Sequence, residues 1–137
     1  MSRRAKKKQI LKLAEEVCYK RDIGEPYEGA MRKFQEKVPY PNVEELFFSD
    51  KGPEYIAKRA MNYKNIKPGD LSRDELIELV KKIINNPGVS EHQADLWIQI
   101  LEDAVVDPEI TNYIFWEDGL TPEEIVDKAL SYKPIVL

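Results

Sequence analysis

The sequence predicts an all-α protein made of two tandem four-helix bundles, each small and each with a short third helix. Three observations carry that expectation. Apolar residues recur at spacings of three and four in several stretches, the period of a half-buried helix. No alternation of useful length marks a strand. The two halves also repeat one another, with matching prolines as well as matching apolar positions.

In chain order, Ile10, Leu11, Leu13, Ala14, Val17 and Cys18 trace the apolar stripe of a first helix, and a second helix follows it. "YPNVEELFFSDKGPEYIAKRAMNYKNI" (40–66) then supplies a short aromatic segment after Pro41 and a final helix opened by Pro53. "NIKPGD" (65–70) interrupts helix through Pro68 and Gly69 and marks the joint, giving units 1–67 and 68–137. In the second unit, Leu76, Ile77, Leu79, Val80, Ile83 and Ile84 form the clearest stripe, with Ser72 and Glu75 spaced as a capping box and "NNPG" (85–88) as its stop. Ser90 and Gln93 read as a second capping box, opening a helix that carries Ala94, Trp97, Ile98, Leu101 and Val105 along one side and is bounded by Pro108. The last helix has Thr121 as N-cap, Pro122 at its first position and Glu124 at its third, with Ile125, Val126, Ala129 and Leu130 expected inward.

The repeat ties these elements together. "ILKLAEEVC" (10–18) falls on "LIELVKKII" (76–84), and residues 40–66 lie over 107–135 with two residues of gap. Pro41/Pro108, Phe48/Phe115, Pro53/Pro122, Glu54/Glu123, Ile56/Ile125, Ala60/Ala129, Tyr63/Tyr132 and Lys64/Lys133 are identical. Helical periodicity alone would reproduce the apolar matches, but not the prolines or the terminal Tyr-Lys.

Composition narrows the class of protein. Charged residues make up 34% of the 137, and no apolar run approaches the roughly 18 residues of a membrane span. The basic start "MSRRAKKKQILKLAEE" passes directly into an amphipathic pattern without the apolar core of a signal peptide, so a cytoplasmic location is expected. A single cysteine, Cys18, excludes an internal disulfide and a Cys-based zinc site, and its place on a stripe reads as a buried thiol. The net charge of −4 divides sharply: residues 1–69 hold 16 Lys+Arg against 10 Asp+Glu, while 70–137 hold 5 against 15. Five cations (Arg3, Arg4, Lys6, Lys7 and Lys8) crowd the first eight residues. The acidic half repels nucleic acid and would speed encounter with a basic protein.

Catalysis has little to stand on. His92 is the only histidine and lies in a helix's first turn, with no cysteine, second histidine or serine motif beside it. Adjacent acids such as Glu102/Asp103 and Glu123/Glu124 point apart on a helix, and neither a phosphate loop nor a calcium loop occurs. The expectation is a protein that is not an enzyme and needs no cofactor or metal. Binding is better supported, by the acids Glu91, Asp95 and Glu102 on one helix and by Phe115-Trp116 on a short segment. Neighbours on a helix diverge by about 100°, so the two rings cannot share one small core. An outward aromatic ringed by acids has the composition of a protein-binding hot spot.

From about Ser72 to Lys133 the sequence resembles the colicin and pyocin DNase immunity proteins, small four-helix inhibitors of a toxin's HNH nuclease domain. The residues that carry the resemblance are "DELIELVKKIINN", "SEHQADLWIQILEDAV", "TNYIFWE" after a proline, and "TPEEIVDKAL". It implies that the short third helix is the common anchor, here Asn112, Phe115 and Trp116, and that the second helix sets toxin selectivity, here Glu91, Ala94, Asp95, Ile98 and Glu102. Asn112 stands where the family has an acid, Phe115 and Trp116 replace two tyrosines, and Glu117 replaces a proline. An anionic contact would then come from Glu117, Asp118 or the second helix. In the first unit the matching anchor is "EELFFSD", where Glu45 and Phe48 fit and Ser49 replaces an aromatic; Gly24, Tyr27, Glu28, Met31 and Gln35 fall at the selectivity positions. Glu28, Glu45 and Phe48 would form a second site, in a unit read as a diverged copy that packs against its neighbour or has changed partners.

The resemblance implies an immunity protein that meets the basic DNA-binding surface of a bacteriocin-like nuclease and excludes DNA by bulk and charge. No small-molecule substrate or membrane is expected, and nucleic acid is disfavoured as a partner. The alternatives are a helical interaction protein on the same fold, or a nucleic-acid-binding protein using the "SRRAKKK" start, with strong salt dependence.

Overall fold

The computed structural model describes residues 2–86 and 88–134. These form eight helices and no strand, in two compact units, Met1–Lys64 and Asn65–Leu137. The boundary falls three residues before the one read from Pro68 and Gly69, because Ile66 packs on the core of the second unit. Pro87, in the stop signal at 85–88, and Ile135, at the end of the repeat comparison, lie outside the described residues.

The first unit contains α1 (Arg3–Ile23), α2 (Glu28–Lys37), α3 (Glu44–Phe47) and α4 (Pro53–Met61). Ser2 caps α1 by accepting the Ala5 amide at 3.1 Å, and Gly24, with φ of 76°, closes it in the left-handed conformation that only glycine adopts without strain. α1 packs on both α2 and α4. Its buried Ile10, Ala14, Val17 and Cys18 meet Phe34 and Phe47, whose rings stand edge to face at 5.1 Å, and Ile56 and Ala60 from α4. Burial pushes the Cys18 thiol above its ordinary pKa. Leu11 and Leu13 stay only half-buried at the edge of the stripe.

The second unit contains α5 (Arg73–Asn85), α6 (Glu91–Ala104), α7 (Ile110–Phe115) and α8 (Pro122–Leu130). α5 packs on α6 and α8, and α7 touches α6 and α8. The core joins Leu76, Ile77, Leu79, Val80 and Ile83 to Leu101, Ala104, Ile110, Ile125, Val126 and Ala129. Both ends of the expected capping exchange form at α5, where Ser72 Oγ accepts the Glu75 amide at 3.2 Å and Glu75 accepts the Ser72 amide at 3.1 Å. Thr121 and Glu124 do the same at α8, with both distances 3.1 Å.

Three sequence-based expectations fail. Ser90 holds an extended N-cap backbone, but its side chain makes no capping hydrogen bond, so the Ser90/Gln93 box does not form. Ile84 is 46% exposed and Leu130 is 51% exposed; both occupy the last turn of their helices, past the stretch their partner helices cover. On α6, Leu96 is buried although it lies off the expected stripe, while Trp97 and Ile98 on the stripe are only partly covered.

Burial repeats between the units. Ile10/Leu76, Ala14/Val80, Val17/Ile83, Phe34/Leu101, Val38/Val105, Val43/Ile110, Ile56/Ile125 and Ala60/Ala129 are buried on both sides.

Candidate partner-binding site

The short helix α7 turns inward with Ile110, Tyr113 and Ile114, spaced three and four apart. That spacing leaves Asn112, Phe115 and Trp116 on the outer side. Trp116 ends the helix at 81% exposure and Phe115 is 53% exposed, so both rings of the pair face out, not one of them.

What holds α7 in this orientation is an acid that periodicity does not single out. Asp107 is 1% exposed, and its carboxylate accepts the Tyr113 hydroxyl at 2.7 Å and the Glu109 amide at 2.9 Å. The hydrogen bond to Asp107, reinforced by burial, pushes the Tyr113 phenol up to about 12. Lys128 from α8 sits 4.3 Å over the Tyr113 ring and grips both oxygens of Glu117 at 3.1 and 2.9 Å. α7 is thereby tied at its start by Asp107 and at its end by Lys128.

Beside this helix lies a cleft of about 170 Å³, lined by Ile83, Asn86, Ala94, Trp97, Ile98 and Phe115. Three of the expected site residues, Ala94, Ile98 and Phe115, therefore meet at one apolar hollow between α6 and α7. Glu91 and Glu102 are exposed and Asp95 is half-exposed, all on the same side of α6 as Ile98 at helical spacing. Burial, followed by repulsion from Asp103, raises the pKa of Glu102 above the usual carboxylate value. Asn112 is exposed and donates through its amide to Glu109, so it is already engaged within α7. Glu117 is engaged too, by Lys128, while Glu102 and Asp118 are exposed. Among the described residues no cluster of three or more His, Cys, Asp or Glu is placed to hold a metal ion. No helix among them is long and apolar enough to cross a membrane.

The colicin immunity protein / pyocin immunity protein family matches residues 69–134, the α5–α8 unit. The chain is also 36% identical over 64 residues to uncharacterized protein YezA of Bacillus subtilis (strain 168), a match that spans 46% of this chain and 93% of that protein. The chain belongs to the colicin and pyocin immunity protein family. No solved structure matches it. The matched region takes in α5 to α8 whole, and so contains the cleft, the exposed Phe115-Trp116 pair and the α6 acids.

The first unit repeats this inward spacing but lines its cleft with other residue types. Val43, Leu46 and Phe47 face inward at the spacing of Ile110, Tyr113 and Ile114, and Phe48 is 57% exposed where Phe115 stands. Phe48 meets Tyr27 edge-on at 6.3 Å. Tyr27, Glu28, Met31 and Gln35 line a cleft of about 380 Å³ that reaches Val43 and Glu44. Two of the five expected selectivity positions lie outside α2, since Gly24 caps α1 and Tyr27 precedes the helix. Gln35 is committed internally: its amide donates to the Tyr40 carbonyl at 2.5 Å and accepts the Val43 amide at 3.0 Å. Glu28 and Glu45 are exposed.

Proposed function

We propose that this protein is a bacteriocin immunity protein that binds and inhibits a colicin-like nuclease toxin through the α6–α7 face of its second unit. The observation that carries the reading is the exposed Phe115-Trp116 pair beside a small apolar cleft, on a helix anchored at both ends and flanked by acids. Pre-ordered aromatic anchors lose little conformational freedom on binding, so more of their contact energy appears as affinity. The α6 acids supply complementarity to a basic DNA-binding surface, which raises the association rate, and the bound unit excludes DNA by bulk and by charge. No step of this mechanism is catalytic, and it needs no cofactor.

On this reading the first unit is a diverged tandem copy. Phe48 keeps the outward aromatic, but Ser49 replaces the tryptophan and Gln35 is used to hold its own loop. The second unit is then the principal site, with Glu28, Glu45 and Phe48 as a weaker one. DNA cleavage by the nuclease domain of a colicin-like toxin from the same bacterium tests the proposal. Stoichiometric inhibition by the full-length protein is expected, and cleavage unaffected by a molar excess would remove the reading.

A further inference from the structure

A second surface, in the first unit, has the opposite charge. A cleft of about 430 Å³ is rimmed by Arg3, Lys6 and Lys7 from α1 and by Lys37 from the end of α2, with Ile10 and Met61 beneath. Among the described residues none of these four cations makes an ion pair. Arg4, Lys8 and Lys12 continue the charge in a row along the exposed flank of α1. That row spans about 12 Å at the helical rise. Roughly three to four phosphates of one strand fall within that length, at one charge per about 3.4 Å.

Folding does not explain this placement. The first turn of α1 contains no acid and several cations, the opposite of what the helix dipole favours at an N-terminus. A bound anion would relieve both the mutual repulsion of the cations and their conflict with the dipole. The chemistry of the surface narrows the partner. Residues 2–9 are all exposed and include no large apolar side chain, so this end of α1 has nothing to insert into a membrane interface and no aromatic anchor for a protein hot spot.

We propose that the α1 end of the first unit, together with Lys37, binds the phosphate backbone of nucleic acid without sequence preference. The inference is independent of the toxin-binding reading, which rests on the other unit. Fluorescence anisotropy of a labelled duplex of arbitrary sequence, titrated with the full-length protein at 50 and 200 mM KCl, tests it. About four phosphate contacts predict a fall in affinity of roughly 10²-fold between the two salt concentrations. Lys6→Gln/Lys7→Gln should weaken binding and flatten the salt slope by about two. Arg32→Gln/Lys33→Gln, of equal net charge and exposed on α2, should change it far less. All four positions are on the surface and glutamine is a good helix former, so circular dichroism should be unchanged. No binding at 50 mM, equal losses in the two variants, or tighter binding to phosphatidylglycerol vesicles than to the duplex would each overturn the proposal.

Discussion

Asp107 accepts two hydrogen bonds from within the α7 segment while almost wholly removed from water. Asp107→Ala leaves the Tyr113 hydroxyl and the Glu109 amide without that partner, and should cost about 1–3 kcal/mol by chemical denaturation. The tyrosine reports the same contact in alkali. Its folded-state pKa of about 12 lies above the ordinary value of 10.0. The contact therefore stabilises the fold fully below pH 10, and its contribution is lost as pH rises through about 12. Absorbance titration should find one phenol ionising near 12 in the native protein and shifting down in Asp107→Ala. Sequence alone did not reveal this residue: an acid before a proline reads as an ordinary turn, and only the fold shows that it is buried. Trp116 was legible, because adjacent helical side chains diverge and one of the pair had to leave the core.

At the scale of the helix, capping was legible where side chain and backbone are local partners, as at Ser72/Glu75 and Thr121/Glu124. Ser72→Ala should destabilise the second unit by about 0.5–2 kcal/mol. Ser90→Ala should cost much less, since Ser90 has no capping hydrogen bond to lose. Helix ends were less legible. Periodicity places Ile84 and Leu130 on their stripes, but only the reach of the neighbouring helix decides whether the last turn is covered. The tie between α5 and α8 was also hidden, because Arg73 and Asp127 are far apart in sequence and meet only on folding, at 2.7 and 3.1 Å. The hydrogen bond from Arg73 holds the Asp127 carboxyl below its usual pKa. A depressed folded-state pKa contributes stability above the unfolded value, and that contribution disappears as pH falls through the folded one. The stability difference between wild type and Asp127→Asn should thus be present at pH 6 and vanish in strong acid. It should be small throughout, because both partners are exposed.

Across the whole chain, the all-helical class was readable from the stripes, and burial recurs at the positions that the repeated prolines and stripes pair. The α6–α7 cleft was not readable. Its lining draws on α5, α6 and α7, and no single segment announces that Ile83, Ala94, Ile98 and Phe115 converge. The charge division of the sequence has a kinetic consequence for the proposed complex. If acids on the second unit steer a basic nuclease, the association rate should fall at least about tenfold between low and high salt, while dissociation changes little. Stopped-flow mixing at several ionic strengths would show it. The proposed site centres on Trp116, and calorimetry compares the affinity of wild type and Trp116→Ala for the nuclease domain that the protein inhibits. With α7 anchoring the complex, truncation should weaken binding by about 2–4 kcal/mol and leave the fold intact. An unchanged affinity in a fully folded variant would contradict the proposed site.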